Sequence, residues 1–345
     1  MGIFSPPPLA LEAQVCYDKT TDPTIFDPRE EGYLMPTQEQ LQKYAKLLVL
    51  TGCKLKAGDK LLITGSVEAV PLVRLCAQCA WENGAADVIV SWDDQALNRQ
   101  RYLHAPEESF DHTPAWESLL LNTVGREGYA FLRVGALDPD GMKGVDPKRM
   151  TAANRARRRD CAEYTAGQMQ GRNVWCGAAA ATPAWAKKVF PDLPRDEATE
   201  KLWQTIFDVT RVNTPDPAKA WADHYDAIRR RAALLEKWQF DALHYTSGLG
   251  TDFTVGLNPN HRWGGGGSVT TSGVQFFPNM PTEETFTSPD RERADGIVYS
   301  SLPLNYHGLI RNFWIRFEKG VAVEWGAEEG LEWLQAILDT AGFMC

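Results

Sequence analysis

The stretch from residue 58 to residue 92, GDKLLITGSVEAVPLVRLCAQCAWENGAADVIVSW, decides the fold class. Residues 60–64 and 87–92 are short and rich in aliphatic and β-branched side chains, which predicts two strands. Between them, residues 67–83 have the length and apolar spacing of a helix, and Gly84 is suited to end it. Two strands joined by a helix predict a parallel sheet that is covered by helices on both faces.

The same alternation continues on both sides of this stretch. Residues 129–134 and 173–180 predict further strands, and residues 146–171 predict a helix. On the N-terminal side, Thr37 is placed to cap a helix whose apolar side chains recur at intervals of three and four residues. The first half of the chain is therefore expected to form a complete α/β sheet domain.

The pattern changes in the second half of the chain. Residues 196–238 are helical in pattern, and Pro217 stands where a helix would start. After Phe240, short alternating strands and turns follow, and residues 328–338 predict a last short helix. We predict an α/β domain over residues 35–215 with a parallel sheet, followed over residues 216–345 by an incomplete β-rich α+β domain.

Residues 1–34 precede these domains and show no sustained hydrophobic period. They contain three consecutive prolines and two Asp-Pro pairs, which predicts a poorly structured extension. Because Met35 abuts the first well-signalled helix, it is a plausible alternative start of the protein.

Composition excludes several classes of protein. Of the 345 residues, 43% are hydrophobic and 23% are charged, which is typical of a globular protein and excludes wholesale disorder. The net charge of −9 argues against general nucleic-acid binding, since phosphate backbones are held by clustered positive charge. No stretch has the roughly 20 apolar residues of a membrane helix, and the N-terminus lacks the pattern of a secretory signal. We therefore expect no nucleic-acid or membrane partner.

Seven cysteines are scattered along the chain, which favours reduced thiols in a cytoplasmic protein over a disulfide framework. Cys76 and Cys79 have the C-x-x-C spacing, but no second such pair exists to complete a zinc site. Both lie on the apolar face of the predicted helix, so we interpret them as core residues.

Two further features carry weaker signals. The glycine run of residues 264–267 lacks the lysine of a phosphate-binding loop, so it predicts a turn or a close backbone approach, with a pocket-lining loop as the alternative. The six histidines are dispersed and form no H-E-x-x-H motif. His261 and His307 lie nearest to the region discussed next, and neither is assigned a ligand role.

The most informative stretch is residues 279–289, NMPTEETFTSP. Glu283 and Glu284 are adjacent in a segment that Pro281 and Pro289 stiffen at both ends. In an extended chain neighbouring side chains point to opposite faces, so we expect one glutamate to face a given pocket and the other to be exposed or separately paired. On composition alone this segment is typical of a surface edge strand.

This stretch resembles the signature of the M29 metalloaminopeptidases, the aminopeptidase T family. Collinear matches lie at residues 41–47, 143–147, 183–191 and 250–257, so the resemblance extends from about residue 37 to about residue 340. It implies a cytoplasmic, homodimeric exopeptidase that removes N-terminal residues from peptides. It also implies two divalent metal ions per site (zinc or cobalt, with magnesium as a further option), held by the second domain.

The resemblance assigns a metal-ligand glutamate to the Thr282-Glu283-Glu284 step, so Glu283 and Glu284 are both candidate metal ligands and catalytic residues. Paired metals activate water for attack on an amide, and the glutamate that is not a ligand could then orient or deprotonate that water. The family's other ligands, a glutamate, two histidines and an aspartate, correspond to positions beyond Cys345. We therefore expect this chain to lack most of the metal site and to be impaired in catalysis.

Two alternatives remain beside the peptidase. The chain could be a non-catalytic relative that binds peptides or a partner protein, and its metal content would separate this from the enzyme. A related metal-dependent dioxygenase is disfavoured, because the residue 281–284 signature indicates a peptidase.

Overall fold

The computed structural model describes residues 36–305 and 308–339. Residues 1–35, with Cys16 and Met35, lie outside the described part, as do His307 and Cys345. The α-helices are α1 (Gln38–Lys46), α2 (Val70–Glu82), α3 (Gln95–His104), α4 (Ala115–Arg126), α5 (Pro147–Asp160), α6 (Ala162–Met169), α7 (Pro183–Val189), α8 (Arg195–Val209), α9 (Pro217–Trp238) and α10 (Leu331–Asp339). A π-helix spans Leu47–Gly52, and 3-10 turns span Val67–Ala69 and Glu107–Phe110. The strands are β1 (Lys60–Ser66), β2 (Asp87–Asp93), β3 (Ala130–Gly135), β4 (Trp175–Ala179), β5 (Ala242–Thr246), β6 (Asp252–Leu257), β7 (Gly264–Gly265), β8 (Ser268–Val269), β9 (Gln275–Phe276), β10 (Thr285–Phe286), β11 (Pro289–Tyr299), β12 (Leu304–Asn305), β13 (Leu309–Ile310), β14 (Trp314–Glu318) and β15 (Val321–Gly326).

The predicted parallel sheet is confirmed. Its strand order is β2-β1-β3-β4, and all three neighbouring pairs are parallel. The central strand β1 is almost entirely buried, because helices cover both faces of the sheet. Cys76 and Cys79 lie in the core cluster of this sheet, which confirms their interpretation as core residues.

The first helix starts as its sequence predicts. The side chain of Thr37 accepts a hydrogen bond from the N–H of Gln40 at 3.2 Å, and Gln40 Oε1 in turn accepts one from the N–H of Thr37. This reciprocal capping box satisfies two backbone donors that the first helical turn leaves free.

The helix predicted over residues 146–171 is instead two helices, α5 and α6, which meet at Cys161. Cys161 is fully buried against Leu62 and Leu121 in a second core cluster. Its neighbour Asp160 accepts a hydrogen bond from the N–H of Thr113. The helix therefore ends at the point where Cys161 is buried and the preceding residue, Asp160, is bound to the backbone of Thr113.

The β-rich second half contains a five-stranded antiparallel sheet with the strand order β15-β14-β11-β6-β5. Phe253, Ala294 and Phe317 are buried together on one face of this sheet. This region and the parallel sheet confirm the predicted fold class. In the described part of the chain, no helix combines the length and the hydropathy that crossing a membrane requires.

One segment of the second half is built into the first sheet. The N–H of Gly177 on β4 donates to the carbonyl oxygen of Pro278 at 2.7 Å, and the N–H of Met280 donates to the carbonyl oxygen of Gly177 at 2.9 Å. Phe277 and Met280 are buried in the same core cluster as β1, and Trp221 from α9 joins them. The boundary near residue 215 stays a prediction, because residues on both sides of it share this core.

We expect Met280→Ala to lower the free energy of unfolding by about 2–5 kcal/mol, since it removes a buried side chain and leaves a cavity. Met280 is 1% exposed. Met169→Ala is the matched control, because Met169 is 82% exposed and surface substitutions usually change stability by less than about 0.5 kcal/mol. Urea unfolding of both variants measures the difference. Equal small losses would show that residues 277–280 are not part of the first core.

We expect the buried thiols to resist alkylation in the folded protein. A hydrogen bond with Cys176, together with burial, raises the pKa of the Cys53 thiol, and burial raises the pKa of Cys76. The thiolate is the reactive form, so a raised pKa and burial both slow the reaction. Peptide mapping after iodoacetamide treatment should find both residues modified only when urea is present. Modification of Cys76 without urea would contradict the described packing.

Candidate functional site

The Thr282-Glu283-Glu284 step lies between two fixed points of the backbone. On its N-terminal side, residues 278–280 are hydrogen-bonded to Gly177 at the edge of the parallel sheet. On its C-terminal side, Thr285 and Phe286 of β10 pair with β7. The two glutamates therefore project from a short segment whose ends are held by both halves of the protein.

The glycine run forms the support beneath this segment. A Cβ atom at Gly265 would collide with the carbonyl oxygen of Glu284 and would press on Ile228 of α9. Gly266 has φ of +71°, a backbone conformation that favours glycine. The glycine run is thus a close backbone approach. It packs directly against the segment that carries Glu283 and Glu284, so the two stretches form one structural unit.

Glu283 is held by two side chains from outside its own segment. Arg211 Nη2 donates to Glu283 Oε1 at 2.9 Å, and His224 Nε2 lies 3.5 Å from Glu283 Oε2. The same nitrogen of His224 is 2.7 Å from the carbonyl oxygen of Thr282, a distance that fits an N–H donor. The charge of Glu283 is therefore offset by the guanidinium of Arg211, and the backbone of the preceding residue, Thr282, is held by His224.

Arg211 is itself held in place. Its guanidinium carbon lies 5.0 Å from the ring centroid of Trp221, within the range of a cation–π contact, and Nη1 donates to the carbonyl oxygen of Val209 at 2.7 Å. Trp221 is fully buried. A continuous chain of contacts thus runs from the protein core through Arg211 to the carboxylate of Glu283.

Glu284 has a different environment. Its side chain is exposed and forms no ion pair within residues 36–305 and 308–339. Both glutamates line an open cavity of about 460 Å³ together with Asn279, Pro281 and Thr282. The adjacent carboxylates consequently share one cavity, in which Glu283 is neutralised by Arg211 and Glu284 is free to bind a cation or an ammonium group.

The described residues do not fit a metal centre by themselves. Within them, no three His, Cys, Asp or Glu side chains come together in a group that could hold a metal ion. His261 is buried, with Nδ1 2.8 Å from the carbonyl oxygen of Asn258, and it is no member of such a group. A dinuclear site needs several carboxylate and imidazole ligands, and here Glu284 is a single unpaired one.

Arg211 and His224 are not among the site residues that the sequence predicts. His224 follows Trp221 by three residues on α9, so it lies at the edge of the buried stripe, where a polar residue is a recognisable signal. Arg211 has a φ of +65° just after the end of α8, and no sequence pattern marks its long-range contact with Glu283.

Comparison with known proteins identifies relatives along nearly the whole chain. The model of the thermophilic metalloprotease (M29) family matches residues 37–342. Aminopeptidase 2 of Geobacillus stearothermophilus is 41% identical over 304 residues, which are 88% of this chain and 73% of the relative. Aminopeptidase T of Thermus aquaticus is 42% identical over 303 residues, which are 88% and 74% of the two chains. The solved structure of wild-type AmpT from Thermus thermophilus has a TM-score of 0.79 and 39% identity, and the match covers 88% of this chain and 75% of that one.

A double-mutant cycle tests whether Arg211 pairs with Glu283 and not with Glu284. We expect Arg211→Gln and Glu283→Gln to couple by about 0.5–1 kcal/mol in the free energy of unfolding, as partly exposed ion pairs do. Glu284→Gln is the matched control, and its coupling with Arg211→Gln should be near zero. Equal coupling of both glutamates to Arg211 would contradict the described pairing.

Proposed function

Since this chain belongs to the M29 metalloprotease family, we propose that it functions as an aminopeptidase that releases N-terminal amino acids from peptides. The observation that carries this proposal is the family match over residues 37–342, which includes both the parallel sheet and the Thr282–Glu284 step. The relatives named above are aminopeptidases, which supports a hydrolase that acts on peptide substrates.

Within this function, we assign the reactive carboxylate to Glu284 and a positioning role to Glu283. Glu284 is unpaired at the cavity, so its carboxylate is available to substrate or to a metal ion. Glu283 is engaged by Arg211, and releasing it would leave the guanidinium without its acceptor. The ion pair between Arg211 and Glu283 holds residues 282–284 in place, and this in turn orients the side chain of Glu284.

The family name implies a metal ion, and the resemblance specifies two divalent ions, zinc or cobalt with magnesium as a further option. The described residues offer too few ligands to hold them, so we assign no reaction step to a metal here. The remaining ligands would have to come from outside residues 36–305 and 308–339. A homodimer and a cytoplasmic location are further proposals that rest on the resemblance.

A second candidate is a non-catalytic protein that binds peptides or a partner. The lack of a metal-binding group among the described residues favours this alternative. Both candidates use the same cavity, and they differ in whether the bound peptide is cleaved.

Metal content and turnover of matched proteins separate the two candidates. One protein is the 345-residue chain, and the other is a hybrid in which the part of the Thermus thermophilus relative that lies C-terminal to its match with this chain follows Thr340. For the 345-residue chain, we expect far less than one equivalent of tightly held metal, because water replaces each missing protein ligand and weakens binding of the ion. Hydrolysis of an aminoacyl reporter by this chain should therefore be near background. The hybrid should hold metal and cleave the reporter. In the hybrid, Glu284→Gln should abolish turnover, whereas Glu283→Gln should retain a measurable part of it.

Elemental analysis and chelator-sensitive turnover are the measurements, and circular dichroism confirms that each protein is folded. A folded hybrid that binds peptide without cleaving it would favour the non-catalytic candidate. Two equivalents of metal in the 345-residue chain would show that its own residues complete the site.

A further inference from the structure

A second cavity is lined in part by residues that directly precede the same segment, Gln275 and Phe277. It has a volume of about 240 Å³ and is bounded by the end of the π-helix, the first turns of α9 and residues 275–277. Its lining residues are Thr51, Lys54, Ala218, Ala222, Tyr225, Asp226, Gln275 and Phe277. None of them lines the cavity of Glu283 and Glu284, so the two cavities are separate.

Two opposite charges face this cavity without contacting each other. Lys54 and Asp226 form no ion pair with one another or with any other residue in the described part of the chain. The ammonium of Lys54 lies 5.9 Å from the ring centroid of Phe277. Charged groups at a partly enclosed surface gain most when they are paired, so two unpaired and opposite charges across a small cavity suit a ligand that carries both charges.

The backbone conformation at the end of the π-helix positions Lys54 at this cavity. Lys54 has φ of +50°, in the left-handed region that residues other than glycine seldom adopt. It directly follows the buried Cys53 at the end of the π-helix. This conformation ends the π-helix, where the N–H of Leu55 donates to the carbonyl oxygen of Val49 at 3.1 Å, and Lys54 lies at the edge of the cavity.

The rest of the lining provides hydrogen-bonding groups and an apolar wall. The side chains of Thr51 and Gln275 have no hydrogen-bond partner among the described residues. The rings of Tyr225 and Phe277 meet edge to face with centroids 5.4 Å apart. Ala218 and Ala222 are small, which leaves the space between α9 and the segment open.

We propose that this cavity binds a free α-amino acid in its zwitterionic form. The ammonium of Lys54 binds the carboxylate of the ligand, Asp226 binds its ammonium, and Tyr225 and Phe277 pack against an apolar side chain. The volume lies below the range of about 300–1,000 Å³ that holds drug-sized molecules, so it suits one amino acid. The inference goes beyond the proposed function, because binding here requires neither a metal nor cleavage of a peptide.

Calorimetric titration of the metal-free, 345-residue chain with L-leucine tests the proposal. Leucinamide lacks the carboxylate, and 4-methylpentanoate lacks the ammonium, so each probe removes one of the two charges. We expect each to bind at least about tenfold more weakly than leucine, since each loses one charge-assisted contact. The dipeptide Leu-Leu distinguishes a peptide terminus from a free amino acid. It should also bind at least about tenfold more weakly, because its terminal charges are one residue further apart than those of the proposed ligand.

Variants assign the two charges separately. Lys54→Met should remove the preference for leucine over leucinamide, and Asp226→Asn should remove the preference for leucine over 4-methylpentanoate. Lys56→Met and Asp223→Asn are matched controls, because Lys56 is exposed close by in the chain and Asp223 on α9 pairs with Lys219 instead. Lys54→Gly provides a second variant that suits the left-handed backbone, so it removes the charge without adding strain.

Three results would overturn the proposal. The first is no heat of binding up to roughly 10 mM leucine, a concentration that detects even weak association. The second is leucine binding that survives Lys54→Gly and Asp226→Asn unchanged. The third is leucine binding that is lost on Glu284→Gln, which would place the ligand in the other cavity. Retained binding in Glu284→Gln supports the second cavity whatever the outcome of the turnover experiments.

Discussion

The hydrogen bonds between Gly177 and residues 278–280 are the constraint on which both cavities depend. They continue the parallel sheet at the open edge of β4, where unpaired backbone groups would otherwise remain. They also bury Phe277 and Met280 in the core of the first half of the protein. The segment that bears the glutamates is therefore held by the most buried part of the molecule, although it belongs by sequence to the β-rich half.

This constraint places the two glutamates in different electrostatic environments. Fixing the backbone just before Pro281 leaves two adjacent carboxylates in one place, and their like charges repel each other unless one is compensated. Arg211 compensates Glu283, and its own position is set by the buried ring of Trp221. The charge that remains at the cavity is that of Glu284, so the core residue Trp221 indirectly determines which carboxylate is available.

The sequence could predict those features that depend on neighbours along the chain. The strands around β1, the cap at Thr37 and the burial of Cys76 all follow from local patterns, and the structure has each of them. The pairing of Gly177 with residue 279 and the contact of Arg211 with Glu283 could not be predicted. They join residues that are far apart in the chain, and neither glycine nor arginine carries a periodic signal for its partner. The helix break at Cys161 was missed for the same reason, because its cause is the burial of one side chain under the sheet.

Helix α9 explains why the two cavities can act independently. Successive residues on a helix are about 100° apart, so His224, Tyr225 and Asp226 point in different directions around its axis. His224 contacts Thr282 beside the first cavity, whereas Tyr225 and Asp226 line the second. Along the neighbouring segment, Gln275 and Phe277 line the second cavity, whereas Asn279 and residues 281–284 line the first. A substitution at Asp226 therefore changes the charge of the second cavity without removing any contact that holds Glu283, and a substitution at Glu284 leaves the lining of the second cavity intact.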